Sequence, residues 1–304
     1  MPHTSAHGPL IDRNGLIAHI TAFLSGYDAH TLETISATLA GEIDQAGPAA
    51  LAMLNERLIR AGADWQFYPH DPLAQRIHHI LADRVLEPDS MLHGAEHIDA
   101  VAGAPVVIFS NHLSYSDANL LEVLLHRAGK PMSDRLTVIA GPKVYSSLKR
   151  RFSSLCFGTI KTPQSSGLSS EDAVMNPREV ARAARRSIEA AHERLALGDA
   201  LLVFAEGTRS RTNGMQQLLA GVTRYLELPD TWILPVGLVG SEALFPIGDE
   251  TVHSVRVVGR VGAPIRASEL EQRSGGDRRV MMDTVGWAIA ELLPAEYRGA
   301  YARG

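Results

Sequence analysis

The chain reads as an α/β protein, with a mostly parallel or mixed central sheet flanked by helices and a small helical domain ahead of it. Three observations point there. Residues 10–87 carry helical periodicity with few β-branched runs, whereas beyond residue 100 short apolar runs alternate with longer amphipathic stretches, the texture of βα units. The runs "PVVIF", "ALLVFA" and "WILPVGLV" have the length of buried strands and fall far short of the roughly 20 residues that cross a bilayer. At 304 residues and 45% hydrophobic composition the chain can bury a large core, and its length suits one smaller and one larger domain, placed at 1–87 and 88–304.

Taken in order, the first 87 residues break at "GYD", "AGP" and "AGADWQFYPHDP". Asp71 as N-cap and Pro72 at the first helical position open a helix in which Leu73, Ile77, Ile80 and Leu81 share a face. Strands are expected at 105–110, 136–140, 157–161, 200–205, 232–239 and 252–259, with helices between most of them. The best-marked helix starts at Asn176 and Pro177 and stops at Gly198. Before it, the Ser-rich stretch 163–176 fits a lid or binding loop and a disordered insertion equally well. No internal repeat is visible.

Composition removes several classes of function. A net charge of -5 speaks against nucleic acid as the partner. The single cysteine, Cys156, lies among apolar neighbours and reads as a buried inert thiol. The first fifteen residues lack the basic start and apolar stretch of a signal peptide. The expected location is therefore the cytoplasm, with any membrane contact peripheral and at the inner face. No histidine spacing suggests a metal site, "HH" at 78 and 79 placing neighbours on different helix faces, and no glycine pattern for a nucleotide appears.

The pattern H-x-x-x-x-D occurs three times, as His7 with Asp12, His78 with Asp83 and His112 with Asp117. The first lies in a polar terminus. In the second, a helix turns the two side chains about 140° apart. The third lies where a buried strand ends and a helix begins, so a turn can fold the carboxylate back onto the imidazole, and strand ends of open α/β sheets are where ligands bind. A His–Asp pair there suits a general base whose tautomer the carboxylate fixes. Ser114 and Ser116 are too close along the chain to serve as its nucleophile, so the attacking hydroxyl would come from a substrate. The bland reading, in which Asp117 caps the helix and His112 packs, stands beside it.

A second strand-to-turn segment, "LLVFAEGTRSRT", carries Glu206, Gly207, Thr208, Arg209 and Arg211. Its arginines are forked donors for a phosphate or carboxylate, and Gly207 admits close backbone approach. Together the two stretches resemble the glycerophospholipid acyltransferase family. Asn111, His112 and Asp117 match its first block, and Phe204, Glu206, Gly207, Thr208, Arg209 and Ser210 match its third, with Ala205 where the family has proline. The second block is weaker, "FGTIKT" offering Lys161 in place of arginine, and "WILPVG" with Pro235 meets the fourth. The layout is most similar to the soluble plastid-type glycerol-3-phosphate acyltransferases.

The resemblance implies an α/β acyltransferase that moves a fatty acyl group from acyl-CoA or acyl carrier protein to glycerol-3-phosphate or a lysophospholipid such as lysophosphatidate. It implies His112, Asp117 and Glu206 as catalytic residues, and Asn111, Lys161, Gly207, Thr208, Arg209 and Arg211 as substrate-binding ones. A thioester is already activated, so neither a cofactor nor a metal is expected. Between Arg135 and Ser170 there is no acidic residue, while Arg135, Lys143, Lys149, Arg150, Arg151 and Lys161 supply positive charge. Such a field suits a phosphorylated acceptor, coenzyme A, an acidic carrier protein or an anionic membrane face; a solvated helix face accounts for Lys149 to Arg151 as well. Three alternatives stay open: a thioesterase, a non-catalytic lipid or carrier-protein binding module, and an acyltransferase acting on a non-phosphate alcohol or amine.

Overall fold

The structure, a computed structural model, describes residues 11–24, 26–163, 175–246, 248 and 251–303. His7, and with it any contact to Asp12, and most of the Ser-rich stretch 163–176 lie outside the described residues.

Three helices lead the chain. In α1 (Arg13–Thr21) the Asp12 carboxylate accepts from the Gly15 N–H at 2.7 Å. The long α2 (Ala29–Arg60) kinks at Gly47, whose φ of 80° precedes Pro48 within the "AGP" break. A two-residue strand, β1 (Phe67–Tyr68), follows. Then α3 (Pro72–Val85) begins as its sequence predicts, Asp71 accepting from the N–H groups of Leu73 and Ala74.

Next come β2 (Met91–His93), the short α4 (Glu96–Asp99), β3 (Val106–Ser110), α5 (Asp117–Arg127), β4 (Leu136–Ala140), α6 (Leu148–Ser154), β5 (Gly158–Lys161), α7 (Pro177–Ala196) and β6 (Ala200–Val203). The chain ends with β7 (Trp232–Val239), β8 (Val258–Val261), β9 (Ile265–Arg266), α8 (Ala267–Arg273) and α9 (Arg278–Glu291). Asn176 closes a capping box with Glu179 at the start of α7.

The strands form one mixed nine-stranded sheet in the order β1-β5-β4-β6-β3-β7-β8-β2, with β9 also on β7. The five middle strands, β5 to β7, are parallel, and the antiparallel pairings are β1 with β5, β8 with β7 and β9 with β7. Alternate residues explain why these strands read as unbroken apolar runs. On β3, Val106 and Ile108 join one core with the N-terminal helices, α5 and α6, whereas Val107 and Phe109 join the other with α7 and α9.

One expected strand is displaced. Residues 252–259 were to form a strand, but regular pairing runs over Val258–Val261 instead. The earlier part spends its hydrogen bonds on the segment after α3: Val255 N–H donates to the Val85 carbonyl and Glu87 N–H to the Val255 carbonyl, both at 2.8 Å. Val255 and Val257, two apart and buried, make that irregular pairing, so the segment looks like a strand without being one.

The remaining titratable features fall into place. Asp83 pairs with Arg127, away from His78. His78 and His79 do not diverge as expected from adjacent helix positions: both reach the buried Glu122, at 3.5 and 3.0 Å. Cys156 is buried, and burial, with Glu122 and Asp71 adding to it, pushes its thiol well up. Among the described residues no helix is long and apolar enough to cross a membrane.

Candidate active site

The centre of the sheet sets the site. Strands β3 and β6 are parallel neighbours, so the turns that leave their C-terminal ends lie side by side. Asn111 ends β3 by using its side-chain amide as a rung of the ladder, donating to the Leu238 carbonyl at 2.9 Å and accepting from the Leu238 N–H at 2.7 Å. That anchors the turn and keeps Asn111 out of the cavity.

His112 follows. Its Nδ1 lies 2.8 Å from Asp117 Oδ2, and the same oxygen accepts from the N–H groups of Leu113 and Ser114 at 2.7 and 3.0 Å. Asp117 is the first residue of α5, so the carboxylate folds back over its own turn. This is how five residues bring the pair together here and not inside α3. The other oxygen, Oδ1, accepts from the Ser241 hydroxyl at 2.6 Å. A carboxylate that accepts from three other donors, the N–H groups of Leu113 and Ser114 and the Ser241 hydroxyl, meets the imidazole as an acceptor, which assigns the proton to His112 Nδ1 and leaves the lone pair on Nε2. Among the described residues Nε2 has no hydrogen-bond partner, and the ring stacks on Phe204 at a centroid distance of 4.3 Å.

The second turn is stapled to the first through the His112 backbone. Glu206 Oε1 accepts from the His112 N–H at 2.8 Å, and the Ser210 N–H donates to the His112 carbonyl at 2.7 Å. Glu206 Oε2 accepts from the Gln216 N–H at 2.7 Å. Burial pushes the Glu206 carboxyl up to about 7, against the pull of those two N–H donors. Gly207 turns the chain at φ 76°, a conformation that favours glycine.

Both turns open on one cavity of about 390 Å³, whose lining includes His112, Tyr115, Lys143, Gly207, Thr208 and Arg209 and is otherwise mostly apolar, with side chains from β4, β6 and the segment 219–225. The structure thus brings His112, Gly207, Thr208 and Arg209 together. Asp117 and Glu206 are buried behind them. Arg211 is exposed and does not line the cavity. Lys161 does not line it either: its ammonium donates to the Gly62 carbonyl at 2.7 Å and sits over the Trp65 ring. The basic stretch is likewise dispersed, Lys149 lying between Phe23 and Phe245 while Arg151 donates to the Tyr145 carbonyl.

Sequence reasoning missed Ser241, Tyr115 and a role for Phe204. Ser241 carried no signal, being remote in the chain from Asp117. Tyr115, inside the first motif, could have been noticed as an aromatic beside two arginine-bearing segments.

An imidazole held by a buried carboxylate and a guanidinium thus line one largely apolar cavity. Residues 89–239 match the model of the acyltransferase family. The chain belongs to that family and is an O-acyltransferase. Among solved structures, the 1-acyl-sn-glycerophosphate (LPA) acyltransferase PlsC from Thermotoga maritima is similar at 17% identity, over 91% of this chain and 94% of that one, with a TM-score of 0.47. No curated protein matches.

Proposed function

We propose that this acyltransferase moves a fatty acyl group from acyl-CoA or acyl carrier protein to the hydroxyl of a phosphorylated glycerol acceptor, glycerol-3-phosphate or lysophosphatidate. The observation that carries the reading is the shared cavity. His112 Nε2 and the Arg209 guanidinium open on the same space, whose remaining wall is largely apolar. A proton acceptor, an anion ligand and a greasy wall are what an acyl chain and a phosphorylated alcohol need together.

The chemistry follows from the hydrogen bonds. The acceptor hydroxyl gives its proton to Nε2 as its oxygen attacks the thioester carbonyl, forming the new C–O bond and a tetrahedral oxyanion. Collapse breaks the C–S bond, and the imidazolium returns the proton to the leaving thiolate. Asp117 stabilises the imidazolium through Nδ1–H and holds the ring. Glu206 serves here as the residue that fixes the His112 turn, since both of its oxygens are engaged by backbone N–H groups. Purified protein given acyl-CoA with glycerol-3-phosphate or lysophosphatidate should accumulate ester. Free acid at the same rate with or without acceptor would make it a thioesterase. Equal turnover of acceptors with and without phosphate would remove the anion role of Arg209.

A further inference from the structure

Many arginines among the described residues are matched to a carboxylate, as in Arg13 with Asp44, Arg194 with Asp199 and Arg279 with Asp283. Two arginines beside the His112 turn are not. Among the described residues Arg209 has neither an ion pair nor a hydrogen bond; its guanidinium lies over the Tyr115 ring, 4.4 Å from the centroid. Arg150, from α6, also has no ion pair; it lies 5.3 Å from the same centroid and donates to the Lys143 carbonyl and the Ser146 hydroxyl.

One aromatic ring therefore gathers two uncompensated cations. Their separation falls within the Debye length of ~10 Å at 0.1 M salt, so their fields add at the cavity mouth. Tyr115 and Arg209 line the cavity and Arg150 does not. The ring, 52% exposed although aromatic, is held between segments that come from α6 and from the β6 turn. Arg209 lines the cavity, and its guanidinium, a forked donor set suited to a phosphate or carboxylate, is held there by the Tyr115 ring.

We propose that Tyr115 is a positioning residue for an anion subsite: its ring, braced by Arg150, holds the Arg209 guanidinium at the cavity mouth so that the site selects a phosphate monoester. This deepens the reading of the previous section and rests on it for the identity of the substrate, though not for the existence of the subsite. A cation over an aromatic face is worth enough to shift binding roughly 2- to 30-fold when the face is removed.

The test is titration of inorganic phosphate into the full chain, wild type against Tyr115→Leu and Tyr115→Phe, with steady-state kinetics alongside. Tyr115→Leu should weaken phosphate binding and raise the acceptor KM by about 2- to 30-fold with kcat nearly unchanged. Tyr115→Phe keeps the ring and should restore most of the affinity. The KM for a phosphate-free thioester donor should not move. A KM rise confined to acyl-CoA, absent with the phosphate-free thioester, would place coenzyme A's phosphate at the subsite and overturn the acceptor assignment. Phosphate binding unchanged in Tyr115→Leu, or absent in the wild type, would overturn the subsite itself. A wild type that binds phosphate through Tyr115 yet acylates no phosphorylated acceptor would retain the subsite and refute the functional reading instead.

Discussion

Glu206 sets two effects against each other, and a pH series of Glu206→Gln decides between them. Its carboxyl accepts two backbone N–H bonds, which favour the anion, yet burial outweighs them and pushes it up to about 7. A carboxyl raised from about 4.5 in the unfolded chain to about 7 in the fold binds its proton more tightly when folded. Its contribution to stability is then fully present below about pH 4.5 and is lost as pH rises through about 7, a change on the order of 3 kcal/mol at 1.36 kcal/mol per unit. Glutamine cannot titrate, and its NH₂ must face one of the two N–H donors, which costs about 1–3 kcal/mol. The destabilisation by Glu206→Gln should therefore be largest near pH 5 and shrink toward pH 8. Urea denaturation of both proteins at pH 5, 6, 7 and 8, followed by tryptophan fluorescence, measures it. A penalty that is constant, or that grows with pH, would mean the two N–H bonds win and the group is an ordinary buried anion.

The other expectations concern neighbouring residues. Asp117→Asn should lower kcat by roughly 10²- to 10⁴-fold, because an amide facing the Leu113 and Ser114 N–H groups no longer fixes the His112 tautomer; the pH–rate profile and kcat report it. Ser241→Ala removes the only donor to Asp117 Oδ1 among the described residues, and thermal denaturation should show a loss of about 1.5–3 kcal/mol together with reduced kcat. Arg209→Ala should raise the acceptor KM much more than Arg211→Ala, since only the first lines the cavity; equal effects would show that the exposed arginine also reaches the substrate. Lys161→Gln should lower stability through its contacts with Gly62 and Trp65 while leaving the acceptor KM close to the wild-type value.

What the chain order revealed and what it hid follow from how each signal arises. Five of the expected strands lie within two residues of their observed ends, because a strand buried on both faces reads as a short, nearly unbroken apolar run. The sixth failed for the same reason turned round. Apolar positions two apart report burial, and at Val255 and Val257 the burial goes with irregular pairing to residues 85–91. His112 and Asp117 were legible because one turn brings them together, so the contact is local in sequence. The fates of Asn111, Glu206 and Lys161 were not, since each depends on a partner supplied by another element: Leu238, the backbone of the other turn, and Gly62. A motif names residues that must be present without saying which of them touch substrate. Here the buried members bond backbone and the half-buried ones face the cavity, so the division of labour between holding the turns and meeting the ligand is decided by tertiary hydrogen bonds that no spacing encodes. By the same logic Ser241, 124 positions from the carboxylate it serves, emerges only when β7 is laid beside β3.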